Sequence, residues 1–350
     1  MIREAIAALV DGRSLTEMEM AGVMEEIMTG RASGAQIGAL LIALRLKGET
    51  VEEITAAARV MREHALGIDV GAGEGIVVDT CGTGGDAKGT FNVSTTAAFV
   101  VAGCGVTVAK HGNRSVSSHC GSADVLEAMG VDLTLPPQAV ADCIRTVGIG
   151  FMFAPMFHPA MKHAIGPRRE IGIRTVFNLL GPLTNPAGAN VQVMGVYDPA
   201  WTGKLARVLG RLGSRRALVV CGEGGMDELT LTGETLVSEW RDGAVHSWTV
   251  TPEEVGLQRV DIAEIRGAET AAASAEQLRE VLAGVSGPRL DMVLLNGGAA
   301  LLAAGRAQTL MDGIGLARRC IDSGAAMAKL EKLVAFCRER KAEPRSAGKP

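Results

Sequence analysis

The chain has 350 residues, long enough for a large core and, by length, for two domains. Hydrophobic residues make up 47% and charged residues 21%, the balance of a soluble globular enzyme, whereas aromatics reach only 3% with a single tyrosine, which argues against base-stacking platforms for single-stranded nucleic acid. A net charge of −4 excludes a global basic field that would draw DNA or an anionic membrane, so any anion site is local.

The opening residues read as helices that start at S/T-x-x-E/Q capping boxes: Thr16 with Glu19, Ser33 with Gln36, Thr50 with Glu53. Ile37, Leu40, Leu41 and Leu44 recur at helical spacing until Gly48, and Ile54, Ala57, Ala58 and Met61 line the next helix. Their apolar faces suit burial against the rest of the chain or a second copy of it. The Gly71–Gly75 stretch is a flexible joint. Beyond it Ile76–Asp79 reads as a buried strand, Asn92–Val101 as a helix with a polar start, Val106–Ala109 as a strand and Gly121–Met129 as a helix. Strand, loop and helix repeated in this way predict parallel α/β architecture with ligands at the carboxyl ends of the strands. Further strands are predicted at Val191–Val196, Ala217–Cys221 and Met292–Leu295, and a hairpin at Leu236–Trp240 and Ala244–Trp248. A final amphipathic helix is predicted over Ala325–Arg340, with a frayed tail after it.

Seven scattered cysteines with no C-x-x-C spacing indicate neither a zinc knuckle nor a redox pair, and fit a reducing cytoplasm. The N-terminus lacks a signal-peptide pattern, and no apolar run is long enough to span a bilayer.

Two polar loops follow predicted strands within about forty residues of each other. Cys81–Asp86 (C-G-T-G-G-D) is neither a Walker A motif nor a G-x-G-x-x-G fingerprint. A plain turn is its simplest reading, but Asn92, Ser94 and Thr95 would then sit at a helix N-terminus, where amides and the macrodipole favour an anion. Lys110–Ser118 (K-H-G-N-R-S-V-S-S) offers two cations, hydroxyls and glycine amides suited to phosphate; a solvated surface turn is the alternative. His111 in this loop is either a base, a ligand or a hydrogen-bonding wall. Asp227-Glu228, after the Ala217–Cys221 strand, can hold Mg²⁺ or lie on the surface. The Pro167-Arg-Arg169 run can present a bidentate guanidinium to a carboxylate. No nucleophile motif occurs, so these parts suit displacement of a diphosphate group by positioning and charge stabilisation.

The motifs D-T-C-G-T-G-G-D (Asp79–Asp86), K-G-T-F-N-V-S-T (Lys88–Thr95), K-H-G-N-R-S-V-S-S (Lys110–Ser118), G-S-A-D-V-L-E-A (Gly121–Ala128), F-N-L-L-G-P-L-T-N-P (Phe177–Pro186) and M-D-E-L (Met226–Leu229) occur in this order, and the chain resembles the anthranilate phosphoribosyltransferase family to about Phe336. The resemblance implies an α/β fold: a small N-terminal helical domain (1–70, with helical contributions from about 160–185) and a large α/β domain (71–340) of the nucleoside-phosphorylase/phosphoribosyltransferase type. The latter would have a central mixed, mostly parallel sheet flanked by helices, with 341–350 a frayed tail. It implies that Gly82, Gly85, Asp86, Thr90, Asn92, Val93, Ser94, Thr95, the whole of Lys110, His111, Gly112, Asn113, Arg114, Ser115, Val116, Ser117 and Ser118, and Ser122 hold phosphoribosyl diphosphate. Gly82, His111, Asn113, His158 and Arg168 would line the anthranilate site, with His111 and Arg168 positioning that substrate and Arg168 on its carboxylate. Ser94, Asp227 and Glu228 would be the Mg²⁺ positions, for two ions per subunit. His119 stands where lysine is frequent in the family. The expected protein is a cytoplasmic homodimer joined through its helical domain, acting in tryptophan biosynthesis on two small molecules, with no nucleic-acid or membrane partner. Two alternatives are a pyrimidine nucleoside phosphorylase, whose K-H-S-G-R-type loop differs from K-H-G-N-R, and a non-catalytic nucleic-acid-binding paralogue, which should be basic and lack the Asp-Glu pair.

Overall fold

The computed structural model describes residues 1–73, 75–86, 88–114 and 120–342. Four helices come first: α1 (Ile2–Val10), α2 (Glu17–Met28), α3 (Gly34–Lys47) and α4 (Val51–Glu63). All three capping boxes form. The Glu19 amide donates to Thr16 Oγ1 at 3.2 Å while the Glu19 carboxylate accepts from the Thr16 amide at 2.8 Å, and the Ser33/Gln36 and Thr50/Glu53 pairs repeat the arrangement. Helix α3 ends at Gly48, whose φ of +86° a side chain would resist. Met20, Met24, Ile27, Ile37, Leu40, Leu41, Leu44 and Ile54 are almost wholly buried between the helices, each contributing about 1.5–3 kcal/mol of transfer free energy. The buried carboxylate of Glu53 meets Lys47 at 2.8 Å and accepts from the Leu15 amide at 2.8 Å, so the charge enters this core paired and hydrogen-bonded.

A seven-stranded sheet follows: β1 (Val77–Gly82), β2 (Thr107–Gly112), β3 (Ile149–Phe153), β4 (Val191–Gly195), β5 (Arg216–Gly222), β6 (Thr235–Arg241) and β7 (Ala244–Val250), in the spatial order β3-β2-β1-β4-β5-β6-β7. The five strands from β3 to β5 are parallel, and β6 and β7 extend the sheet as an antiparallel hairpin. Its tight turn uses Asp242 and Gly243, both at positive φ, the geometry that matches strand twist. The chain runs outward from β1 to β3 and returns on the other side of β1 as β4. The crevice between the ends of β1 and β4 is therefore the switch point where open α/β sheets bind ligands.

The remaining helices are α5 (Val93–Gly103), α6 (Ser122–Ala128), α7 (Pro137–Val147), α8 (Ala154–Phe157), α9 (Lys162–Ile171), α10 (Val176–Leu180), α11 (Thr202–Arg211), α12 (Ala271–Leu282), α13 (Pro288–Ala303), α14 (Leu310–Asp322) and α15 (Ala325–Ala342). Alternation along the strands divides the core. Val191, Val193, Leu218 and Val220 belong to the face covered by α5 and α13, whereas Met194, Val196, Ala217, Val219 and Cys221 join α11 and the N-terminal helices. Arg62 of α4 ties these last two together, donating to the Leu183 carbonyl at 2.7 Å and the Leu212 carbonyl at 2.9 Å.

One expected element is corrected. Met292–Leu295 is not a strand but the second turn of α13. Every residue from Met292 to Ala303 is buried, so the run lacks the polar face that would betray a 3.6-residue period, and a short apolar run fits either element. Pro288 at the helix start was the usable signal. Strand β3, Ile-Gly-Phe-Met-Phe, went unpredicted. The last helix reaches Ala342, and the rest of the expected tail lies outside the described residues.

Candidate functional site

The first glycine loop leaves the carboxyl end of β1 beside β4 and meets the Asp227-Glu228 segment that follows β5. The Gly84 amide donates to Asp227 Oδ2 at 2.7 Å, and the Ser94 amide, in the first turn of α5, donates to Glu228 Oε1 at 3.1 Å. Glycine is required where the segments touch. A Cβ on Gly82 would fall 2.4 Å from Asp227 Oδ2, and one on Gly195 would fall only 1.5 Å from the Asp227 carbonyl oxygen. Asn296 of α13 fixes the far end of the acidic segment, accepting from the Leu229 amide at 3.0 Å and donating to the Leu229 carbonyl at 2.9 Å.

Three carboxyl groups crowd this corner. Burial, and then the neighbouring Asp86, push Asp227 up to about 7; burial and then Asp227 push Glu228 well above the carboxylate range. Lys110 opposes part of the effect at Glu228. The buried Lys110 ammonium donates to the Thr80 carbonyl at 2.5 Å and lies 3.5 Å from Ser94 Oγ, so Lys110, Ser94 and the Asp227-Glu228 pair lie together. Asp86 receives the Lys88 amide on Oδ1 at 3.0 Å, while its Oδ2 is buried without a partner.

The other side of the crevice is built from β2. Its residue His111 donates its amide to Asp79 Oδ1 at 3.2 Å, and Asn185 donates to Asp79 Oδ2 at 2.8 Å and to the Ala109 carbonyl at 2.8 Å. Burial raises Asp79 to about 6, against the pull of Lys110. The ring of His111 faces that of His158, which follows α8, with centroids 5.0 Å apart. Burial, and then His158, depress His111 to about 3; burial depresses His158 to about 4. Both imidazoles are therefore neutral at pH 7, and the Nε2 of each is buried without a partner.

Other expected residues are placed as follows. Arg168, in the last turn of α9, stacks over Phe177 with its guanidinium 5.2 Å from the ring centroid, and burial lowers its pKa; the adjacent Arg169 is exposed. Gly85 holds a positive φ in the loop. Thr90 bridges to Arg266, and Asn92 donates to the Cys120 carbonyl at 3.2 Å instead of capping α5. Val93 and Thr95 are buried in the first turn of that helix. Gly112 ends β2 against Ser122, whose hydroxyl donates to the Asn113 carbonyl at 3.3 Å. Arg114 pairs with Asp124 and Glu127, each at 2.8 Å. Ser115, Val116, Ser117, Ser118 and His119 lie outside the described residues.

Sequence reasoning missed Asn185, Gly195 and Asn296 as parts of this site. An Asn within T-N-P and an Asn amid the apolar α13 run were the available signals, since a buried amide has to find partners.

Among the described residues, six buried side-chain polar atoms lack a hydrogen-bond partner, and four of them, on Thr83, Asp86, His111 and His158, line this crevice. Concentrated unmet hydrogen bonds in one cleft mark a place for a polar ligand. No group of three or more His, Cys, Asp or Glu among the described residues is arranged to hold a metal ion by itself. Asp227 and Glu228 nonetheless fit Mg²⁺, which commonly takes one or two carboxylates and completes its shell with substrate phosphates and water.

The model of the glycosyl transferase family's helical bundle domain matches residues 3–65, and that of its a/b domain matches residues 74–327. The anthranilate phosphoribosyltransferase of Desulfotalea psychrophila is 61% identical over 336 residues, covering 96% of this chain and 97% of the relative. A crystal structure of the Thermus thermophilus anthranilate phosphoribosyltransferase superposes with a TM-score of 0.90 at 48% identity, covering 95% of this chain and 99% of that one. The Saccharomyces cerevisiae anthranilate phosphoribosyltransferase in complex with PRPP and Mg gives 0.87 at 26% identity over 97% and 98% of the two chains; its complex with 4-fluoroanthranilate gives 0.86 at the same identity and coverage. On identity maintained over nearly its full length, the chain belongs to the anthranilate phosphoribosyltransferase family.

Proposed function

We propose that the chain transfers the phosphoribosyl group of 5-phosphoribosyl 1-diphosphate to the amine of anthranilate, releasing diphosphate, as a step of tryptophan biosynthesis. The observation that carries this reading is the crevice itself. Acidic and glycine-rich segments meet on one side, two neutral histidines stand on the other, and unmet hydrogen bonds lie along both.

In the reaction the amine nitrogen bonds to C1 of the ribose, the C1–O bond to diphosphate breaks with its electron pair leaving on oxygen, and the nitrogen then releases one proton to solvent water. An aniline-type amine is neutral at pH 7 and needs no strong base before attack. His111 and His158, being uncharged, orient the acceptor without repelling Arg168, which is placed to pair with the acceptor's carboxylate. Asp79 holds the His111 backbone in place. Gly82, Gly85, Asp86, Thr90, Asn92, Val93, Ser94, Thr95, Lys110, Gly112, Asn113 and Ser122, with the loop through Ser115, Val116, Ser117 and Ser118, form the donor side in this reading. Gly82 and Asn113 also reach the acceptor. Arg114 would have to leave Asp124 and Glu127 to contribute.

Ser94, Asp227 and Glu228 would hold Mg²⁺, two ions per subunit, and the Ser94 amide already orients the Glu228 carboxylate. When bound, the metal offsets the charge of the diphosphate. In this reading residues 1–70, with helical contributions from about 160–185, form the small helical domain, and 71–340 form the large α/β domain that binds phosphoribosyl diphosphate. Exposed Met1, Val10, Met18 and Leu46 on the helical part support a homodimer through that surface. No helix among the described residues is long and apolar enough to cross a membrane, and the reading places the protein in the cytoplasm.

The test is loss of anthranilate fluorescence on adding phosphoribosyl diphosphate and Mg²⁺, repeated with the metal chelated. Turnover that stops on chelation supports the reading. Absence of turnover, with phosphorolysis of thymidine or uridine instead, replaces it with a nucleoside phosphorylase.

A further inference from the structure

Arg174 lies in the link between α9 and α10, six positions after Arg168, yet its guanidinium reaches the opposite side of the crevice. It stacks over the ring of Tyr197, just past β4, 4.1 Å from the centroid. It also rests against the first glycine loop, where a Cβ on Gly85 would fall 3.3 Å from its Nε and 3.4 Å from Nη2. The Tyr197 carbonyl packs in turn on Gly225, two residues before Asp227. Arg174 thus touches both the first glycine loop and the segment just past β4.

No carboxylate pairs with Arg174 among the described residues, although other arginines of the chain, such as Arg114, Arg216 and Arg318, do find one. Stacking occupies the face of a guanidinium and leaves the N–H donors at its edge for an anion lying in its plane. A cation with a fixed plane and an uncommitted edge, beside the glycine loop, is suited to a phosphate group.

We propose that Arg174 is a further donor-site residue, whose guanidinium meets the diphosphate at the Gly84–Asp86 turn and stabilises the charge gathered there as the C1–O bond breaks. This rests on the phosphoribosyl-transfer reading. Arg174 stays protonated throughout; the bond electrons leave on the diphosphate oxygen, and no proton passes through the guanidinium. Because Arg174 and Arg168 share one short segment, the same stretch of chain would contact both substrates.

The experiment compares wild type with Arg174→Gln and Arg174→Lys, titrating inorganic pyrophosphate with Mg²⁺ calorimetrically and measuring both KM values. Loss of a charge-assisted contact should weaken pyrophosphate binding and raise the donor KM by about tenfold or more in Arg174→Gln. The anthranilate KM should stay within about twofold, and lysine should restore part of the loss. Pyrophosphate binding equal to wild type in Arg174→Gln overturns the proposal, as does an equal rise in both KM values. If Arg174→Gln misfolds, Arg174→Lys carries the same comparison, because a shorter point charge still weakens a planar contact. Wild type that binds pyrophosphate but does not consume anthranilate refutes the reaction reading, while the binding comparison still decides the role of Arg174.

Discussion

The imidazoles of His111 and His158 confront each other at 5.0 Å with their planes inclined by 51°, and neither Nε2 has a partner. With folded values of about 3 and about 4, each stays neutral well below the ordinary 6.5. From pH 6.5 down to about 4 the unfolded chain takes up protons at both sites and the folded chain does not, so both destabilise the fold on acidification. Each contributes up to about 1.4 kcal/mol per pH unit. Asp79 acts with the opposite sign, holding a proton in the fold up to about 6 against 3.8 unfolded. Asp227 and Glu228, also raised by burial, act in the same direction as Asp79, so the histidine contribution is read by difference. From pH 6.5 to 5 the urea stability of wild type should fall relative to that of His158→Gln with a slope of about one proton. An unchanged slope in that variant would show that His158 titrates normally.

Arg168→Ala should raise the KM for anthranilate by about tenfold or more, with the donor KM little changed, since a bidentate carboxylate contact is lost. Arg169→Ala, at an exposed position, should leave both constants unchanged. Equal effects of Arg168→Ala on the two substrates would argue against the carboxylate role.

Gly195→Ala places a methyl group where the Asp227 carbonyl already stands. Backbone there cannot yield as a side chain would, so Asp227 must shift, and turnover should fall by about a hundredfold or more. Gly203→Ala on α11, with no atom nearer than 3.9 Å, is the contrast. It should retain activity and gain about 0.5–1 kcal/mol from helix propensity. Thermal melts and initial rates on both variants check the pair.

Asn296→Ala strands the buried amide and carbonyl of Leu229. Unfolding in urea should register a loss of about 2–4 kcal/mol. Because the Leu229 backbone anchors the acidic segment, the Mg²⁺ concentration needed for half-maximal rate should rise as well. A destabilised variant with unaltered Mg²⁺ dependence would limit Asn296 to stability.

Local signals were the legible ones. The capping boxes, the Gly48 stop and the Asp242-Gly243 hairpin turn are determined within a few residues, and all formed as expected. Ser94 and the Asp227-Glu228 pair follow the carboxyl ends of β1 and β5, and Lys110 lies near that end of β2, so the parallel strands bring them together. What sequence did not disclose depends on distant partners. Asn185 meets Asp79 across 106 positions, and Asn296 meets Leu229 across 67. Arg114 reads as a phosphate ligand until Asp124 and Glu127 come round on α6 to claim it. Met292–Leu295 was misread because a helix submerged on all sides carries no periodic mark.

The alternation of Met194 and Val196, Ala217 and Val219 toward the helices has a consequence for how this protein could be divided. The two family models part near residue 65, yet the apolar layer beneath the sheet is shared by segments on both sides of that line. Cutting there would turn a wall of the interior into a wet, sticky exterior. The helices are better regarded as the floor on which the sheet was laid than as an attachment to it, with Arg62 and its two carbonyls, and Glu52 on Arg211, marking the join in polar atoms along α4.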